Sequence, residues 1–252
     1  MRWQTPEPLG DSLAWYRWFP PLRPGAGFVY PPSAYGIIAV WDKGWWISGM
    51  ARRIPAANGG LNGAAETSRF LTETRPGDAL QNMRRSGARY AAIGPGSITF
   101  ELPATVAMAG RQIERYSRVF FMQGPGGEHI RLRVYLPDFY RSMAARLYLF
   151  DGRRIDTKTR GVQVFLTTPV LANSGAYEET IQSVRNFASE KEAEQWMVQH
   201  PYETASLASA DPTASCVDLE EIPWLKRVFI SRNERLVGYT QPVAVKIFER
   251  TP

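Results

Sequence analysis

The sequence predicts an α+β fold in which a mainly helical core is followed by a strand-rich peripheral part. Residues that start and stop helices flank apolar positions between residues 64 and 87, whereas apolar residues at alternating positions are frequent after residue 155. The 252 residues, 44% of them hydrophobic and 21% charged, suffice to bury a sizeable core. We therefore expect a helical core over residues 1–155 and a strand-rich part, with one helix, over residues 156–252.

The beginning of the chain is rich in aromatic residues and proline. Asp11 and Ser12 can cap a short amphipathic helix, which must end at Pro20 and Pro21 because proline lacks the amide hydrogen that a helix needs. The following apolar run, Tyr35–Trp41, is so short that its periodicity fits a buried strand and a turn of buried helix equally well.

Two helices and a strand are predicted after a loop at residues 55–63, which contains asparagine and glycine. The first helix runs over Ala64–Thr74. The second begins at Asp78 and ends at Gly87, because aspartate favours helix starts and glycine favours the residue after a helix. Ala88–Ile93 then reads as a short buried strand.

The remaining elements follow from periodicity and capping residues. Residues 100–122 are expected to be helical from Ala104–Ala109 onward, and Phe139–Phe150 forms a second, hydrophobic helix. Strands and a late helix complete the chain: strands at Leu132–Leu136, Val162–Leu166, Val228–Ile230 and Val243–Phe248, and a helix over residues 189–199 that begins with the capping box Ser189-Glu190-Lys191-Glu192.

The composition excludes several kinds of site. Cys216 is the single cysteine, so no internal disulfide and no thiolate zinc cluster can form. The two histidines, His129 and His200, lie outside any recognisable catalytic motif. The net charge of +6 comes without a nucleic-acid-binding motif, so no nucleic acid partner is expected. No apolar run approaches the roughly 20 residues that span a bilayer, so a membrane-spanning part would have to lie outside this chain.

One carboxylate occupies an unusual position. Asp42 follows the apolar run and precedes two more tryptophans, Trp45 and Trp46. A carboxylate there must be paired, hydrogen-bonded or turned towards a cleft, because burying it bare is costly. It could accept a hydrogen bond from a ligand hydroxyl while aromatic rings enclose the neighbouring methyl group, or it could simply cap a helix beside core tryptophans.

The segment Ser33–Ile47 closely resembles the one that bears the WWDYG signature of oligosaccharyltransferase catalytic subunits, above all the archaeal type. Trp41 and Asp42 match the second tryptophan and the aspartate, while Val40 replaces the first tryptophan and Lys43 the tyrosine. Further segments resemble this family in the same order along the chain: Arg53–Asn58, Ala64–Leu71, Gly87–Tyr90, Tyr140–Gly152, Phe187–Met197, Leu225–Val228 and Val245–Glu249.

The resemblance implies the C-terminal extracytoplasmic domain of a glycosyltransferase of the cell membrane. Such an enzyme transfers an oligosaccharide from a lipid-linked donor to the asparagine of Asn-x-Ser/Thr. The implied partners are the acceptor peptide, the lipid-linked oligosaccharide and the enzyme's own transmembrane domain. A divalent metal, Mn or Mg, would be bound mainly outside this chain, which would hold no catalytic residue and be inactive alone. The alternative is a non-catalytic module of a related glycosyltransferase, used for docking or glycan binding.

Within that resemblance, Trp41, Asp42, Val40 and Lys43 are expected to contact the acceptor serine or threonine. Lys43 could pair with Asp42 or point to solvent. In this family a kinked helix completes the pocket, and its best register here runs through four residues that do not match its motif: Gly94, Ser97, Glu101 and Thr105. Glu101 and Thr105 are the candidates on this second element, and the nearby Pro103 indicates that the helix is distorted.

Overall fold

The computed structural model of the protein describes residues 35–126, 128–171, 177–201, 204–231 and 244–251. These residues form two compact units. Unit 1 contains the described residues up to Gly110 and those from Pro223 onward, and unit 2 is Arg111–Ile222. The boundary predicted at residue 155 lies inside unit 2, so the compact units divide the chain differently from the predicted parts.

The described elements mix helices and strands, which confirms the predicted α+β class. The strands are β1 (Gly36–Ile38), β2 (Ile54–Pro55), β3 (Ala88–Ile93), β4 (Ser117–Gln123), β5 (His129–Tyr135), β6 (Val162–Leu171), β7 (Tyr177–Phe187), β8 (Ala205–Ala208), β9 (Leu225–Ile230) and β10 (Lys246–Arg250). The α-helices are α1 (Gly44–Gly49), α2 (Ala64–Thr72), α3 (Pro76–Arg85), α4 (Leu102–Met108), α5 (Pro137–Arg141), α6 (Met143–Phe150) and α7 (Glu190–Gln199).

Unit 1 is built on a five-stranded mixed sheet with the order β2-β1-β3-β10-β9. β1 pairs in parallel with β2 and β3, while β10 runs antiparallel between β3 and β9. Parallel neighbours need a crossover connection, and the chain between β1 and β3 contains α1, α2 and α3. Ile37, Ile47, Tyr90 and Ile247 join one buried cluster, so the apolar run after residue 35 begins as a buried strand.

The two helices predicted in unit 1 are present with shifted ends. α2 ends at Thr72, two residues before the predicted end. α3 begins at Pro76 and not at Asp78, because the fixed backbone angle of proline suits the first turn of a helix. Asp78 lies in that first turn and forms an ion pair with Arg75 at 2.6 Å. Gly87 follows α3 with a positive φ of 62°, as the prediction of a helix stop requires.

The prediction of continuous helix over residues 100–122 is wrong in its second half. α4 ends at Met108, and Gly110 adopts a positive φ of 71° that only glycine reaches without strain. After a short 3-10 helix at Ile113–Arg115 the chain enters β4, which pairs with β5 along its whole length. The cross-strand partner of β4 lies further along the chain, so local periodicity gave no sign of the pairing.

Unit 2 contains the second five-stranded sheet, in the order β5-β4-β7-β6-β8. Phe120, Val134, Phe165 and Ala208 form its buried cluster. The single helix predicted over residues 139–150 is two helices, α5 and α6, because Ser142 between them is extended, with a ψ of 144°. Its hydroxyl accepts the amide hydrogen of Ala145 and so caps α6.

The late helix α7 confirms its predicted capping box. The Ser189 hydroxyl accepts the amide of Glu192 at 3.3 Å, and the Glu192 carboxylate accepts the amide of Ala188 at 2.9 Å. The first bond satisfies the Glu192 amide, which has no partner inside the helix, and the second reaches the amide of Ala188, one residue before the one that a regular capping box uses.

The amphipathic helix predicted after Ser12 lies outside the described residues, as does Val243, the first residue of the last predicted strand. Within the described ranges, no helix is long and apolar enough to cross a bilayer.

Candidate functional site

The candidate site begins where β1 ends. Val40 is 2% exposed and its carbonyl accepts the amide of Lys43 at 3.0 Å, which closes a 3-10 turn over Trp41–Lys43. α1 starts directly after this turn. The turn is therefore anchored to the core by Val40, while Trp41 is half-buried and Asp42 is exposed.

The side chains of Asp42, Lys43 and Glu101 meet in what we call the carboxylate–lysine cluster. The Lys43 ammonium donates to Asp42 Oδ2 at 2.8 Å and to Glu101 Oε1 at 2.8 Å. Of the two alternatives for Lys43, pairing with Asp42 is the observed one. The side chains of Asp42, Lys43 and Glu101 are 47%, 35% and 7% exposed, so the cluster runs from solvent into the protein.

Glu101 is held at the start of α4, the element that the family register had suggested. Its amide donates to the Gly96 carbonyl at 3.0 Å, and its carbonyl accepts the Thr105 hydroxyl at 2.9 Å. A side chain at Gly96 would place a Cβ only 2.6 Å from the Glu101 carboxyl carbon, so the carboxylate lies directly over this glycine. The buried Thr105 thus serves the backbone of α4, with its hydroxyl already donated.

The other residues of that register lie in the segment before α4. Gly94 precedes a 3-10 helix at Pro95–Ile98 that contains the buried Ser97. Pro103 is the second residue of α4, and proline in the first turn of a helix does not kink it. In place of the expected distorted helix there is a 3-10 helix followed by a separate short α-helix.

Burial and pairing shift the two inner ionisable groups. Burial raises the pKa of Glu101 above its usual range, and the hydrogen bond from Lys43 offsets this only in part. Burial by itself would lower the pKa of Lys43, but hydrogen bonds to Asp42 and Glu101 outweigh it, and the pKa is raised. The ammonium form of Lys43 is thus favoured at neutral pH.

An aromatic surface adjoins the cluster on α1. Trp45 and Trp46 are 64% and 43% exposed. The Trp45 indole lies against Gly59, where an added Cβ would come within 2.2 Å of its ring nitrogen. Gly44 is packed as closely, since a Cβ there would lie 2.2 Å from the carbonyl oxygen of Ala57. The loop over residues 55–63 thus supports both the turn and the exposed indole.

The cluster does not have the composition of a metal site. Its two carboxylates share one ammonium, whereas a divalent cation such as Mg²⁺ or Ca²⁺ is surrounded by six or more oxygen ligands. Across the parts of the chain that the structure describes, no group of three or more His, Cys, Asp or Glu side chains could hold a metal ion. The described residues of this cluster therefore do not fit the divalent metal that the family resemblance implies.

Sequence reasoning named the members of the cluster but missed the glycines that shape it. Asp42 and Lys43 were found from the motif, and Glu101 from the register of the second element. Gly44 and Gly96 were not singled out. A signal existed, because glycine inside or next to a short helix is costly unless something approaches it closely.

No protein-family model matches this chain. The dolichyl-monophosphooligosaccharide–protein glycotransferase AglB of Haloferax volcanii is 28% identical over 202 residues, which cover 69% of this chain and 18% of that protein. The dolichyl-phosphooligosaccharide–protein glycotransferase 3 of Archaeoglobus fulgidus is 28% identical over 150 residues, which cover 50% of this chain and 17% of that protein.

Solved structures show the same fold. The crystal structure of the Archaeoglobus fulgidus oligosaccharyltransferase in the apo form matches with a TM-score of 0.52 and 20% identity, over 96% of this chain and 32% of that one. The complex of that enzyme with zinc and sulfate matches with a TM-score of 0.51 and 19% identity, over 95% and 34%. This chain covers about a third of the solved oligosaccharyltransferase chain and about a fifth of the length of the two curated relatives.

Proposed function

We propose that this chain, a homologue of the archaeal AglB oligosaccharyltransferases, is the domain of such an enzyme that recognises the serine or threonine of the Asn-x-Ser/Thr acceptor. The complete protein would transfer a lipid-linked oligosaccharide to asparagine, which is protein N-glycosylation. Its membrane part, the lipid-linked donor and the divalent metal would lie outside this chain, and the domain would stand on the extracytoplasmic side of the cell membrane.

The observation that carries the proposal is the half-exposed carboxylate of Asp42. Its Oδ2 binds Lys43, whereas its Oδ1 has no hydrogen-bond partner among the described residues. A carboxylate oxygen accepts hydrogen bonds and cannot donate them, so it selects ligands with an O–H or N–H group. The free oxygen therefore suits the hydroxyl of an acceptor serine or threonine.

The surroundings of Asp42 fit a small hydroxyl-bearing side chain. Trp41 precedes it in the same turn and is half-buried, so part of its ring remains available to a ligand methyl group. Val40 is buried and would act from behind, by fixing the turn and without touching the ligand. Thr105 would act in the same indirect way through the backbone of Glu101.

The test compares two acceptor peptides, Asn-x-Thr and Asn-x-Val, in the complete enzyme. Valine has nearly the shape of threonine but no hydroxyl, so the ratio of kcat/KM for the two peptides isolates recognition of the O–H group. A hydrogen bond to a charged group contributes about 1.5–3 kcal/mol, so Asp42→Ala should lower this ratio about ten- to a hundredfold.

Asp78→Ala is the matched control, because Asp78 is also a half-exposed aspartate of unit 1 in an ion pair. It should leave the ratio unchanged. If Asp42→Ala also left the ratio unchanged, Asp42 would have no role in acceptor recognition. A docking or glycan-binding module would then be the better description of this domain.

A further inference from the structure

We infer that Lys43 is a second hydroxyl-binding group beside Asp42, and that Glu101 is a positioning residue that holds Lys43 in place for it. The inference rests on the proposed function and deepens it. Asp42 would accept the hydrogen of the acceptor hydroxyl, while Lys43 would donate to the oxygen of the same hydroxyl.

The hydrogen-bond count of Lys43 supports a free donor. An ammonium group has three N–H donors, and Lys43 uses one for Asp42 and one for Glu101. The third has no acceptor among the described residues, and the side chain is 35% exposed. A donor that is fixed in place, partly exposed and next to a free carboxylate oxygen matches a hydroxyl, which accepts and donates at the same time.

Glu101 is placed to fix that donor without touching a ligand itself. Its side chain is 7% exposed, so a peptide at the surface reaches Asp42 and Lys43 before it reaches Glu101. Its carboxylate is confined over Gly96, and its backbone begins α4. A lysine side chain is long and flexible, and ordering it on ligand binding costs conformational entropy. Because Glu101 already holds the ammonium in place, the acceptor peptide would bind without that cost.

The charges of the cluster also support a role for Glu101. Lys43 bound to Asp42 alone would neutralise the carboxylate that the acceptor needs. Because Glu101 shares the ammonium, two carboxylates face one positive charge, and Asp42 keeps its strength as an acceptor. Glu101 therefore acts on both groups that would bind the hydroxyl: it holds the donor Lys43 in position, and it leaves the acceptor Asp42 more negative charge.

The experiment uses the ratio of kcat/KM for Asn-x-Thr over Asn-x-Val in the complete enzyme. Lys43→Met and Glu101→Met should each lower the ratio, by about tenfold for the loss of one hydrogen bond to a charged group. Glu101→Met keeps the length of the side chain and removes a buried carboxylate, and Lys43→Met shortens a partly exposed side chain by one atom, so both are expected to fold. Glu101→Gln can still accept a hydrogen bond from Lys43, so it should lower the ratio less than Glu101→Met does.

The decisive variant is the double one. If Glu101 acts through Lys43, Glu101→Met should change the ratio no further when Lys43 is already methionine. Glu66→Gln is the control, since Glu66 lies in an exposed ion pair with Arg69 on α2 and should leave the ratio unchanged.

Three results would overturn the inference: an unchanged ratio in Lys43→Met, an unchanged ratio in Glu101→Met, or effects of the two variants that simply multiply in the double variant. Any of these, together with a lowered ratio in Asp42→Ala, would leave the proposed function standing and remove only the roles of Lys43 and Glu101. An unchanged ratio in Asp42→Ala would instead remove the proposed function itself.

Discussion

Gly44, the residue that follows the carboxylate–lysine cluster, should not tolerate even a methyl group. In Gly44→Ala the new Cβ would lie 2.2 Å from the Ala57 carbonyl oxygen and 2.5 Å from the Asn58 Cα, whereas ordinary contacts are 3.4–4 Å. Both obstacles are backbone atoms, so the loop or the turn must move by about 1 Å. Overpacking of this kind costs about 1–3 kcal/mol. For a chain of this size that corresponds to a loss of about 2–12 °C in Tm.

The matched control is Gly49→Ala at the other end of α1, where an added Cβ meets nothing within 4 Å. Alanine there should be neutral or slightly stabilising, because it is the better helix former. Thermal unfolding of the two variants and the wild type, followed by circular dichroism, measures the difference. Equal Tm values for Gly44→Ala and Gly49→Ala would refute the packing that we describe around the cluster.

Three further predictions concern other parts of the molecule. Burial and the adjacent Glu249 carboxylate raise the pKa of Tyr90 to about 12, so its proton is lost first from the unfolded chain. The free energy of unfolding should therefore fall between pH 10 and about 12, and Tyr90→Phe should reduce that slope in urea titrations. Burial raises the pKa of the Cys216 thiol to about 12, so iodoacetamide should label it only after denaturation, and rapid labelling of the native chain would contradict its burial. Ser189→Ala should lower the free energy of unfolding by about 1 kcal/mol through loss of the α7 cap, while Ser48→Ala, at an exposed position of α1, should change it little.

The parts of the fold that the sequence predicted are those determined by neighbouring residues. The helices α2, α3 and α7 carry their own start and stop residues, and β3 is a short apolar run between a glycine at each end. β4 was missed because its stability comes from pairing with β5 and β7, and no local pattern reports such partners. Glycine at position 110 was the available sign, because glycine favours the residue after a helix, and Gly110 adopts a positive φ there.

The candidate site shows the same division between local and distant causes. The position of Asp42 beside Trp41 is a property of one turn, and the motif was sufficient to find it. That Lys43 reaches Glu101, 58 residues away in sequence, depends on how α4 packs, which the sequence alone leaves open. The resemblance to a family supplied the register that made Glu101 a candidate, but only the structure shows that Glu101 binds Lys43.

The position of β10 has a consequence for how the protein is made. This strand lies inside the first sheet, between β3 and β9, yet it is synthesised after all of unit 2. At about 5–20 residues per second, a ribosome delivers β10 on the order of ten seconds after β3. During that interval β3 has an unfilled edge, and every strand of the second sheet is synthesised before β10. Unit 2 is thus an insertion that can complete its own sheet first, and changes in its length need not alter the pairing that closes unit 1.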